Sequence, residues 1–157
     1  MFPTASPLAE GHRSRISAAL NAALADGIDL YSQLKVAHWN VRGALFGTLH
    51  PLFETLADSV AGQNDTIAER AVALGATATG TARQVAAATR LAELPVSTSR
   101  DLDFVRLCAE AFEKQLVGLR SARTLADELD DADTSDLLTA TVTEYEKHVW
   151  FLRATLG

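Results

Sequence analysis

Between His38 and Glu69 the chain carries two imidazoles, His38 and His50, and at helical spacing from them the carboxylates Glu54, Asp65 and Glu69. Imidazole nitrogen mixed with carboxylate oxygen is a ligand set for a first-row divalent metal. It suits Fe(II), with Zn(II), Mn(II) and Co(II) as competitors. The imidazoles favour the ferrous ion, while hard carboxylates favour the ferric ion that oxidation would give. The chemistry to be expected from these types is therefore binding of a divalent metal, with all five residues as candidate ligands.

Spacing decides whether these groups can meet. On a helix turning about 100° per residue, with His50 at zero, Glu54 falls near 40°, Asp65 near 60° and Glu69 near 100°. A solvated charged face would place the acids in the same way. The histidines add the discriminating information. His50 and Glu54 are one turn apart and can share an ion. His38 precedes the turn between two helices by about as much as Glu54 follows it, so an antiparallel hairpin makes them neighbours. A single histidine on an apolar stripe is usually a packed core residue; three potential ligands at one level argue for a site.

The two pairs on this helix are about fifteen residues apart, or roughly 22 Å of axial rise. One straight helix cannot bring both to one ion. A second copy running antiparallel can, if a two-fold axis crosses near Ser59 and Val60, with the small residues Ala57, Ala61 and Gly62 beside it. A closed two-fold interface is the commonest homo-oligomeric arrangement. Two identical intersubunit sites per dimer are predicted. Tyr31 and Trp39 lie close in sequence; they either absorb stray oxidising equivalents or serve as core aromatics, and spacing alone favours the core.

The elements that must position these groups are helices. Leu20, Leu24, Gly27, Tyr31, Leu34, His38 and Val41 follow one another at steps of three and four, predicting a helix from about Ser14 to Arg42 with Gly43 as its stop. Residues 1–13, with Pro3 and Pro7, read as an extended arm ahead of a bundle domain over 14–157, free to lie against a neighbouring subunit. A second helix is predicted from Leu49–Pro51 to Leu74, capped by Gly75, with proline in its first turn. TARQVAAATR forms a short helix in the next connection. A third long helix is expected over about 100–128, with Val105, Cys108, Phe112, Leu116, Leu119 and Ala126 as its stripe, and a fourth from an N-cap at Thr134 or Ser135, with Leu138, Thr141, Tyr145, His148 and Leu152 on one face. The fold class is all-α: a ferritin-like four-helix bundle with one long crossover containing a short helix.

Composition narrows the class further. Nearly half of the 157 residues are hydrophobic and 22% are charged, enough apolar material for one folded domain. The net charge is -6, and only Lys35, Lys114 and Lys147 are lysines, which argues against nonspecific binding to nucleic acid. One cysteine, Cys108, excludes an intrachain disulfide. No apolar run reaches the length of a signal peptide or membrane span, so a cytoplasmic protein is expected.

AHWNVRG, LHPLFE, DTIAERAVALG and EKHVWFLRATL resemble the signature segments of the Dps family, the DNA-binding proteins from starved cells or miniferritins. The resemblance runs from about Leu20 onward. It implies a hollow shell of twelve four-helix subunits, with ferroxidase centres at two-fold interfaces. His38, His50 and Glu54 would come from one subunit, Asp65 and Glu69 from its partner. It also implies oxidation of Fe(II), preferentially by hydrogen peroxide, storage of ferric oxyhydroxide, and protection of DNA from oxidative damage. Two ferrous ions coupled to one peroxide would suppress hydroxyl radical. The six acids from Asp127 to Asp136 fall where that family lines its iron-entry pores.

The sequence departs from that pattern at two places. Glu54 stands where the family usually has aspartate, moving the carboxylate outward by one methylene. The arm offers only His12, Arg13 and Arg15 against Glu10, with no lysine-rich tail, so direct DNA contact is disfavoured. The Glu-x-x-His pairs of intrasubunit di-iron bundles are absent; Glu144 and His148 are four apart, a helix-face pair of another kind. The alternatives to a ferroxidase are a nucleoid-compacting DNA-binding protein with a secondary metal site, and a helical oligomer with incidental zinc.

Overall fold

The computed structural model describes residues 1–95 and 97–157. Five helices follow in order: α1 (Glu10–Asn40), α2 (Phe46–Ala73), α3 (Ala82–Ala88), α4 (Asp101–Glu128) and α5 (Ala132–Leu156). α1 and α2 form one antiparallel hairpin, α4 and α5 another, and the two pack together chiefly through α1 and α4. The chain between α2 and α4 crosses the bundle and carries α3, as the four-helix pattern with one long crossover predicts. Among the described residues no helix is long and apolar enough to cross a membrane.

The apolar stripes read from the sequence are the core. Val105, Cys108, Phe112, Leu116, Leu119 and Ala126 on α4 are all buried, as are Leu138, Tyr145 and Leu152 on α5. Burial pushes the Cys108 thiol up to about 12, so it stays protonated and inert.

Helix boundaries differ from expectation where caps are unusual. α1 begins at Glu10, not Ser14. Pro7 lies just outside it, and the Glu10 carboxylate in the first turn favours the positive end of the helix dipole. The remaining arm folds back on its own chain: Phe2 N–H donates to Gly75 O at 2.6 Å and the Thr4 hydroxyl to Ala73 O. Gly75 has φ +88°, and its N–H and that of Ala76 close on Val72 O and Ala71 O, which ends α2 as predicted.

α2 begins at Phe46, three residues before the predicted range, so Pro51 sits inside the helix rather than in its first turn. The missing N–H frees only the carbonyl of exposed Gly47, which water can satisfy. α1 ends at Asn40 and Gly43 is a turn residue at φ +140°. A Cβ there would lie 2.2 Å from an Asp101 carboxylate oxygen. Asp101 accepts the Leu45 N–H at 3.0 Å, and Arg42 exchanges backbone bonds with Ser99 and Asp101. The α1–α2 turn is thus pinned to the start of α4.

α5 is capped by Asp131, not by Thr134 or Ser135. Asp131 is only 3% exposed; it accepts from Arg70 at 2.7 Å and from the Thr134 N–H and hydroxyl. This member of the acidic run turns inward, against Arg70.

Candidate metal centre

His38 lies in the last turn of α1 and His50 in the second turn of α2. Their rings stack at 3.8 Å with 24° between planes, and Phe46 stacks on the other side of His50 at 5.1 Å. Each ring reaches across to the other residue's backbone. His38 Nδ1 is 2.8 Å from His50 O, and His50 Nδ1 is 2.8 Å from His38 O. A carbonyl oxygen only accepts, so both Nδ1 atoms carry the proton and both Nε2 lone pairs are left to coordinate. His38 O can accept because it is among the final carbonyls of α1, which have no intrahelical donor. Backbone orientation of this kind is how metal-binding histidines are commonly held.

Glu54 stands one turn beyond His50, with Oε2 3.5 Å from His38 Nε2. The predicted hairpin neighbours are therefore neighbours. Glu54 also makes a short ion pair with Lys35, whose ammonium lies 6.0 Å from the Trp39 ring centroid. The Lys35 hydrogen bond holds the Glu54 carboxyl below the usual range, helped by its charge, while the carboxylate raises the Lys35 ammonium in return. Sequence reasoning missed Lys35. Its spacing, one turn before His38 on the same face, was the available signal.

Asp65 and Glu69 are exposed on α2 and lie well along it from the histidines. Among the described residues, no three His, Cys, Asp or Glu side chains close around one point within the single chain. Asp58, Ala61 and Gly62 share the exposed face, whereas Ala57 and Val60 are fully buried in the chain's own core and Ser59 turns toward α5. Ala57 therefore does not flank the predicted axis. A shallow hollow of about 290 Å³ opens beside Asp65, lined in part by Leu24, Ile28, Ala61 and Ala68. Trp39 is 67% exposed beside the histidine pair, which overturns the core reading for it; Tyr31 packs at the core's edge.

The ferritin-like domain family matches residues 17–157. The DNA protection during starvation protein of Agrobacterium fabrum is 34% identical over 151 residues, covering 96% of this chain and 93% of that protein. This chain is a member of the Dps family. The protein of the same name from Brevibacillus brevis is 36% identical, covering 90% of this chain and 94% of its own length. Among solved Dps structures, DpsC from Streptomyces coelicolor superposes with a TM-score of 0.94 at 32% identity, covering 100% of this chain and 91% of that one. A Dps protein from Vibrio cholerae, described as belonging to a broad superfamily of ferritin-like diiron-carboxylate proteins, gives 0.94 at 27% identity, covering 100% and 98%. The Dps fold thus accounts for the whole described chain, and the His38–His50–Glu54 group lies on its α1–α2 hairpin.

Proposed function

We propose that this Dps-family protein is an iron-storage ferroxidase whose metal centre is shared between two copies of the chain. The observation that carries this reading is the reciprocal histidine arrangement. Two imidazoles, each fixed by the other residue's carbonyl, present free Nε2 atoms beside Glu54, and among the described residues no second acid of the same chain closes the group. With a two-fold axis between Ser59 and Val60, Glu54 faces Asp65 of the partner subunit and His50 faces the partner subunit's Glu69. The exposed Trp39 then comes over the hollow beside the partner's Asp65, covering apolar surface next to the site.

Fe(II) is the substrate. The imidazoles bind it, the carboxylates stabilise the extra charge of the ferric product, and Lys35 competes with the cation for Glu54 Oε2. Two ferrous ions each give one electron to one hydrogen peroxide, which takes up two protons and leaves as two waters. No single-electron cleavage, and so no hydroxyl radical, is required. The ferric product is stored as oxyhydroxide inside a shell of twelve subunits, in the cytoplasm, and removal of Fe(II) and peroxide protects DNA. Zn(II), Mn(II) and Co(II) are the competing ions.

Protection by direct DNA contact is the weaker reading. The chain carries a net charge of -6, and Arg13 of the arm is engaged by Leu8 O at 3.2 Å and Leu74 O at 3.0 Å.

Mixing tests the shared centre. His50→Ala and Asp65→Ala chains should each lose fast peroxide-driven Fe(II) oxidation, as should the double variant, with assembly intact. Co-refolded as a mixture, the two single variants should regain activity, because a mixed dimer restores one intact site. No recovery on mixing, or wild-type rates in the double variant, defeats the shared centre.

A further inference from the structure

We propose that Glu144 and His148 of α5, with Ser59 of α2, form a second, intrasubunit site for a single first-row divalent cation. This site is independent of the shared centre and uses none of its residues. Three donor atoms converge across the α2–α5 seam. Ser59 Oγ is 2.6 Å from Glu144 Oε1 and 2.8 Å from His148 Nε2, and the last two atoms are 3.7 Å apart. In a triangle of those sides, a point about 2.1 Å from every corner exists roughly 1 Å off the plane, the bond length expected for nitrogen and oxygen ligands. That is one face of a coordination shell, with the remaining positions left for water.

The supports are built in. Gln63 donates to the other Glu144 oxygen at 2.6 Å, and the Thr141 hydroxyl donates to Gln63 Oε1 at 2.8 Å, so the carboxylate is oriented through a chain of neutral groups. No ammonium or guanidinium bonds Glu144, unlike Glu54 with its Lys35. His148 is buried against Phe112 and Tyr145, and its Nδ1 has no hydrogen-bond partner. Glu144 remains partly exposed, giving the ion a way in.

Co(II) is the probe, used on the assembled full-length protein carrying His50→Ala and Asp65→Ala so that the shared centre is disabled. Crystals soaked in Co(II) should give an anomalous peak bonded to Glu144 and His148. Co(II) affinity at that position should fall at least tenfold with Glu144→Gln, an isosteric change at a partly exposed residue that leaves folding intact. His148→Gln should remove the imidazole signature from the Co(II) spectrum. No anomalous peak between the two residues, or undiminished binding there by Glu144→Gln, overturns the site. Neither result bears on the shared centre, which the background variant lacks.

Discussion

The ammonium of Lys35 grips the same Glu54 oxygen that lies 3.5 Å from His38 Nε2. A cation arriving at the imidazole therefore meets a carboxylate already occupied by a charge of its own sign. Removing that competitor should strengthen binding: Lys35→Gln is expected to tighten Co(II) or Zn(II) binding at the shared centre by roughly three- to tenfold. Calorimetric titration of the apo-protein measures this. Equal or weaker affinity in Lys35→Gln would mean that the lysine holds Glu54 in place for the metal instead of competing with it.

Glu54→Asp should act in the same direction by a different route. A carboxylate shorter by one methylene is drawn back from Lys35, and the ion pair should lengthen or break. Double-variant titration decides between the two ideas: if Lys35 is the obstacle, Lys35→Gln and Glu54→Asp should be markedly non-additive.

Buried His148 makes stability depend on pH. Its folded pKa is depressed, chiefly by burial, so the unfolded chain binds the extra proton more readily. Its contribution is full above the unfolded imidazole value of about 6.5. It declines as pH falls below that value, by up to about 1.4 kcal/mol per unit, until the folded pKa is reached. Urea unfolding in chelator at pH 7, 6 and 5 should show this loss in the wild type and its absence in His148→Gln. Parallel pH curves for the two proteins would contradict it.

Gly43→Ala should cost about 1–3 kcal/mol, because φ +140° suits only glycine and the new methyl would strike Asp101. Since this turn sets how α1 and α2 enter the site, Fe(II) oxidation should slow along with the drop in melting temperature. Asp101→Ala, which loses the Leu45 contact without straining the turn, should be the milder change.

Asp131→Ala should destabilise by about 3 kcal/mol or more, since it removes the α5 cap and leaves the Arg70 guanidinium half-buried without its partner. Asp133→Ala, at an exposed neighbour 4.0 Å from Arg70, should cost less than about 1 kcal/mol. Thermal melts of the two variants compare them directly.

The stripes on α4 and α5 were legible because burial repeats with the helical period, and every residue read from them is in the core. The convergence of His38, His50 and Glu54 was legible for the same reason: an antiparallel hairpin fixes its own register. Contacts between distant segments left no periodic trace. Arg70 pulls Asp131 inward from more than fifty residues away, and Gln63 and Ser59 meet Glu144 across the bundle. Nothing local marks those pairs. Trp39 was misread because an aromatic next to an apolar stripe has the same spacing whether it faces the core or a partner. Ala57 was misread because small residues suit both a tight core and a close interface.

The crossed bonds between each histidine ring and the other's carbonyl also act as a gauge of alignment. Sliding α1 by one residue against α2 would break both Nδ1 bonds at once and turn both Nε2 atoms away together. In the proposed centre, metal affinity would therefore report on a displacement that leaves helix content unchanged. A distant substitution that weakens ferrous binding without touching a ligand is then diagnosed by a change in how the two helices line up.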